Sequence, residues 1–138
     1  MGRTILGAVA GLVTAVLTIM LVELLGQAVY PPPPGLDPKV TADMAQIIAM
    51  QPFAALLFVV AAWTIGAFDG GFVAALIARK GHPRAAAIVP ALLVMTGVAM
   101  MMVLMPDHPK WMAICGLLLP IPAALIGARL ATRSRRTR

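Results

Sequence analysis

The chain has 138 residues, 61% of them hydrophobic and 12% charged, with a mean hydropathy of +0.94. No ordinary soluble domain of this size has such a composition, and the length leaves no room for a water-soluble catalytic domain beside the apolar runs. Eleven basic against five acidic residues give a formal charge of +6, which in a soluble protein would suit nucleic acid. Here the basic residues crowd the ends of apolar runs, where they orient helices in a bilayer, so nucleic acid is not expected as a partner.

The first apolar run, about residues 4–29, follows a minimal basic start at Arg3. Gly26-Gln27-Ala28 resembles a small-x-small cleavage site, but the run is too long for a signal-peptide core and carries Glu23, so it reads as a first membrane helix. Gly7, Gly11 and Ala15 form a row of small residues at spacing four, which lets another helix approach closely. Tyr30 marks an interface, and Pro31 to Pro34 must leave the helix as a stiff polyproline segment. Gly35 permits a turn. Asp37-Pro38 then suits an N-cap and first helical position, opening a short helix over about 38–50 that places Val40, Met44, Ile47 and Ile48 on one side. Ten-odd residues cannot span a bilayer, so this helix is expected at the membrane surface.

Gln51-Pro52 restarts the chain into a second span, about residues 53–78. Small residues recur there every fourth position at Ala62, Gly66, Gly70, Ala74 and Ala78. Asp69 lies between the two glycines of that row. A carboxylate at such depth is costly unless protonated, paired or reached by water, which makes it a functional-site candidate by default. A tight basic loop with Arg79, Lys80 and Arg84 leads to the third span, about 85–105, with Pro90 near its start. Trp111 anchors a fourth span, about 111–131, bent by Pro120 and Pro122. A basic tail over 132–138 follows, with Arg133, Arg135, Arg136 and Arg138.

Arg3, the basic loop, Arg129 at the end of the fourth span and the tail hold nine basic residues against Lys39 and Lys110 in the other two connections, so both termini are expected to face the cytoplasm. The same cations would bind anionic lipid headgroups on that side. The expected fold is therefore an all-α membrane protein: a bundle of four transmembrane helices in one domain, with a short interfacial helix between the first two.

Glu23 and Asp69 form the sharpest chemical signal, as a possible proton or ion site. Glu23 shares a face with Gln27, four residues on, which suggests a polar patch open to the outer side. Counted along the two helices, the acids lie at different depths, so direct contact needs helix offset or a water chain. Six of the ten methionines, Met95, Met100, Met101, Met102, Met105 and Met112, cluster in the third and fourth spans beside His108 and Cys115 and could supply soft ligands to Cu(I), but methionine serves more often as flexible packing. No metal ligand set, cofactor or catalytic group is assigned. Ser134 is the sole serine, and His82 and His108 fall in loops on opposite sides, which leaves no nucleophilic constellation.

The run Val29 to Pro38, containing YPPPPGLDP, together with Glu23, Ala62-Trp63 and Gly66-Ala67-Phe68-Asp69-Gly70-Gly71, resembles uncharacterised small bacterial four-helix integral membrane proteins. The likeness covers the first two helices by motif and the rest by hydropathy. It implies a bacterial inner-membrane location and supplies no activity. The leading functional expectation is a non-enzymatic interaction protein, homo-oligomeric or an accessory subunit of a larger membrane complex, docking through the two small-residue rows. The alternative is a small channel or proton-linked transporter using Asp69 and Glu23.

Overall fold

A computed structural model describes residues 1–106 and 108–133. Regular structure among them is entirely helical: α1 (Gly2–Val29), α2 (Thr41–Met50), α3 (Phe53–Ile77), α4 (Pro83–Leu104), α5 (Lys110–Leu118) and α6 (Pro120–Arg133), with a single 3₁₀ turn over Ala78–Lys80. Four helical stretches are long and apolar enough to cross a membrane: α1, α3 with its 3₁₀ turn, α4, and α5 continued by α6. These stretches begin and end within a few residues of the four apolar runs read from the sequence.

The buried residues of α1 are Gly7, Gly11, Ala15 and Gly26. Its large side chains, among them Ile5, Val9, Val13, Leu17, Leu21 and Leu24, point outward. That is the inverse of a water-soluble helix and suits a hydrocarbon solvent, in which small residues belong at contacts and large apolar ones can face out.

α3 lies at the centre, packed on α1, on α6 and on α4. Against α1 the two rows of small residues meet each other, antiparallel. A Cβ added to Gly11 would lie 2.6 Å from the Gly70 carbonyl oxygen and 2.7 Å from the Ala74 Cβ, and one on Gly66 would lie 3.0 Å from the Ala15 oxygen. Ala62, Gly66, Gly70, Ala74 and Ala78 are all buried. The rows predicted as docking surfaces for another subunit are thus covered within one chain, each packed against the other. On a second face of α3, Gly71 abuts the Ala124 backbone and Gly127 abuts Phe68 and Phe72 in the same fashion.

α4 completes the bundle. Its first turn begins at Pro83, a favoured first helical position because no N–H is needed there. Pro90 remains inside the helix, fully buried, its ring seated near Gly70. Val60, Trp63, Ala67, Val94, Val98, Met112 and Ala123 form the largest buried apolar cluster, where α3, α4, α5 and α6 converge.

One local expectation is corrected. Asp37-Pro38 does not open α2. The Asp37 carboxylate instead accepts the Lys39 N–H (2.9 Å), the Asp37 N–H donates to Asp43 Oδ2 (3.0 Å), and the helix begins at Thr41 after Val40. An Asp side chain that bonds the backbone two residues on forms a turn in competition with a helix start. The fourth apolar helix is bent at Leu119, between α5 and α6, as its prolines lead one to expect. Pro120 and Pro122 have no N–H to give to the preceding turn. Leu119 still donates to the Cys115 oxygen and accepts from Ala123, so the two pieces run on end to end.

Candidate functional site

The row-on-row contact between α1 and α3 sets where their polar residues fall. Thr18, three residues beyond Ala15, donates its hydroxyl to Asp69 Oδ2 across the interface at 3.3 Å. Glu23 lies five residues farther along α1, about 7.5 Å of helical rise beyond Thr18. The two acids do not meet. The contacts of Gly11 and Ala15 with Gly70 put Asp69 level with about Thr14 of α1, so Glu23 lies about 13.5 Å of helical rise away and Thr18 stands between the two levels.

Glu23 lines two cavities. One, of about 200 Å³, lies at the end of the bundle bearing the polyproline segment. Gln27 and Tyr30 of α1 form part of its wall, and α2 covers it with Met44, Ile47, Ile48 and Gln51. Met101, His108 and Met112 close it from the side of α4 and α5. The Gln51 amide donates to the Pro31 carbonyl at 3.4 Å, tying α2 to the polyproline segment. Tyr30 packs edge-on against Phe58, ring centres 5.9 Å apart.

The second cavity, of about 400 Å³, is a crevice between α1, α3 and α4. It runs from Glu23 past Ile19 to Val16, with Trp63, Val94 and Gly97 opposite. Glu23, Val59 and Met101 belong to both walls. The two spaces therefore adjoin at Glu23, Val59 and Met101, and the second extends along α1 to Val16, past the level of Thr18. Asp69 itself is in neither wall. Nearer the basic end, the glycine and alanine contacts of α1, α3 and α6 leave backbones touching.

The Glu23 carboxylate makes no hydrogen bond to a described residue, whereas Asp69 has Thr18. An apolar cavity with a few convergent polar groups is the usual form of a small-ligand site, and here the groups with no bond to a described residue include an acid. The site can hold a proton or a cation at Glu23, and water of a size to fit these volumes can hydrate it.

Of the residues singled out by sequence, Glu23 and Gln27 come together in the first cavity, and Asp69 lies deeper, behind Thr18. Tyr30 and Trp111 share one end of the molecule, Trp111 packed on Phe53 with ring centres 4.9 Å apart. Lys80, Arg84 and Arg133 are exposed at the other end, while Arg79 is half-buried and its Nε has neither solvent nor a partner among the described residues. Arg135, Arg136 and Arg138 lie outside the described residues. Sequence reasoning missed Thr18, Gln51 and the cavity role of His108. Thr18 could have been found by aligning the small-residue rows antiparallel, which sets it near Asp69; no pattern in the sequence announces Gln51. Among the described residues, no group of three His, Cys, Asp or Glu side chains is arranged to hold a metal.

No protein family, curated protein or solved structure matches the chain in sequence or fold comparison.

Proposed function

We propose that the chain crosses a bacterial inner membrane four times, with α2 at the outer surface, both termini in the cytoplasm and the basic residues on anionic headgroups, and that it is a small channel or proton-linked transporter. The observation that supports this reading is the position of Glu23 at the junction of the two cavities. A carboxylate that deep in hydrocarbon is stabilised only by a proton, a cation or water. Protons or cations enter past α2 to Glu23, and the crevice carries them toward the Thr18–Asp69 pair.

The test is flux in proteoliposomes with a trapped pH dye. Glu23→Gln abolishes flux, and Asp69→Asn reduces it, both with the melting temperature of the parent. Equal flux in parent and Glu23→Gln ends the proposal.

The competing reading, an accessory subunit or homo-oligomer, loses its first support because the small-residue rows face each other. It would have to use the outward face of α1, where Val13, Leu17 and Leu24 are exposed, a face that lipid also covers. Crosslinking in native membranes that captured a stoichiometric partner on α1, with no flux from the purified chain, would reinstate it.

A further inference from the structure

The cavity under α2 carries a feature that proton access to Glu23 leaves unexplained. His108 is 8% exposed, its Nε2 has no contact with solvent, and no described residue bonds it. A buried ring nitrogen without a partner is destabilising, so an occupant is called for. The other nitrogen, Nδ1, lies 3.5 Å from the Pro109 carbonyl oxygen. The tautomer that uses this contact has its proton on Nδ1 and presents Nε2 as a bare lone pair, the arrangement found in metal-binding histidines whose far nitrogen is held by a carbonyl.

The remaining walls supply sulfur. Met44 from α2, Met101 from α4 and Met112 from α5 line the same cavity as His108, so three separate helices each bring a thioether. Met112 is 1% exposed. The neighbours Met100 and Met102 are 64% and 42% exposed and turn away from the bundle. Of three consecutive methionines, only the middle one therefore faces the site. Thioether sulfur is a poor partner for an ammonium or a hard divalent ion and a good one for a soft monovalent metal, and imidazole joins it readily. The Glu23 carboxylate in the same wall offsets a positive charge.

We propose that His108 Nε2 and thioethers of Met44, Met101 and Met112 form a site for a soft monovalent metal ion, Cu(I) in chemical class. The site goes beyond the flux reading and requires binding alone, so loss of flux in Glu23→Gln neither supports nor removes it.

The experiment uses the full chain in detergent or nanodiscs, titrated with Ag(I) as a redox-inert probe and with Cu(I) against a competing chelator. The parent binds one equivalent, and X-ray absorption at the metal shows nitrogen and sulfur neighbours together. His108→Ala and Met112→Leu each weaken binding about tenfold or more, while Met100→Leu and Cys115→Ser bind as the parent does. Leu replaces Met at nearly constant volume, so Met112→Leu decides the matter if His108→Ala does not fold. No binding above the empty-nanodisc blank, binding unchanged in Met112→Leu, equal loss in Met100→Leu, dependence on Cys115, or a metal shell without sulfur would each overturn the proposal.

Discussion

Adding one methyl group to Gly11 tests the central packing claim. The new Cβ would sit 2.6 Å from the Gly70 oxygen, where ordinary contact starts at 3.4 Å, so α1 and α3 must separate locally by about 0.8 Å. A gap of roughly 0.5–1 Å forfeits a quarter to a half of the dispersion attraction between facing atoms. Lipid offers no hydrophobic compensation for the loss. Gly11→Ala is therefore expected to destabilise by about 1–3 kcal/mol, the usual range for overpacking, read as a lower midpoint in an SDS-unfolding titration. Gly97→Ala serves as the contrast, because a Cβ there meets nothing within 4 Å. It should be neutral or stabilise by up to about 1 kcal/mol through helix propensity. Coupling adds a sharper criterion. Gly11→Ala and Gly70→Ala strain the same α1–α3 contact, so one separation relieves much of both and the double variant loses less than the sum. Gly11→Ala with Gly71→Ala strains opposite partners, α3 against α1 and α3 against α6, and should be close to additive. Equal stability of Gly11→Ala and the parent, or additivity in the Gly11–Gly70 pair, would refute the row-on-row packing.

Thr18→Val removes the hydroxyl that bonds Asp69 at nearly constant volume, and should cost about 0.6–1.7 kcal/mol in the same titration, within the range for interhelical hydrogen bonds in membranes; no loss in Thr18→Val relative to Thr14→Val, whose hydroxyl bonds only its own helix, would count against the pair. Gly35 adopts φ +87° with open space around it, so Gly35→Ala carries a backbone penalty of about 1–2 kcal/mol and Gly35→Asn a smaller one; equal midpoints for Ala and Asn would show that the turn rearranges. Trp63 is 8% exposed in the core cluster, whereas Trp111 is half-buried near the helix ends. Brominated lipids should therefore quench Trp63→Phe, which retains Trp111, more strongly than Trp111→Phe, and the reverse order would contradict this placement.

The four long helices were legible because hydrocarbon imposes one simple demand, a run of about 20 apolar residues between polar ends, and the chain meets it four times. The small-residue rows were legible as close-packing faces. Their partner was not, since a spacing of four describes one surface and says nothing of what lies against it. Val40 and Asp37 show a second limit. Asp-Pro is a good helix opening and an equally good turn, and the choice fell to Asp43, six residues away. The site was half legible. Glu23 and Asp69 stand out as acids in apolar runs, but the cavity depends on α2 lining it with Met44, Ile47 and Ile48 and on His108 being turned inward. Both are tertiary outcomes with no local signature.

The antiparallel contact of α1 with α3 is complete once the first 80 residues are in place, whereas Met101, His108 and Met112 come from the half made later. A ribosome threading this chain into the bilayer would thus release a two-rod hairpin already fastened along its glycines while its acid still faced open lipid. On the proposed membrane reading, the interval before α4 arrives is the vulnerable one, and Glu23 is the charge it leaves uncovered.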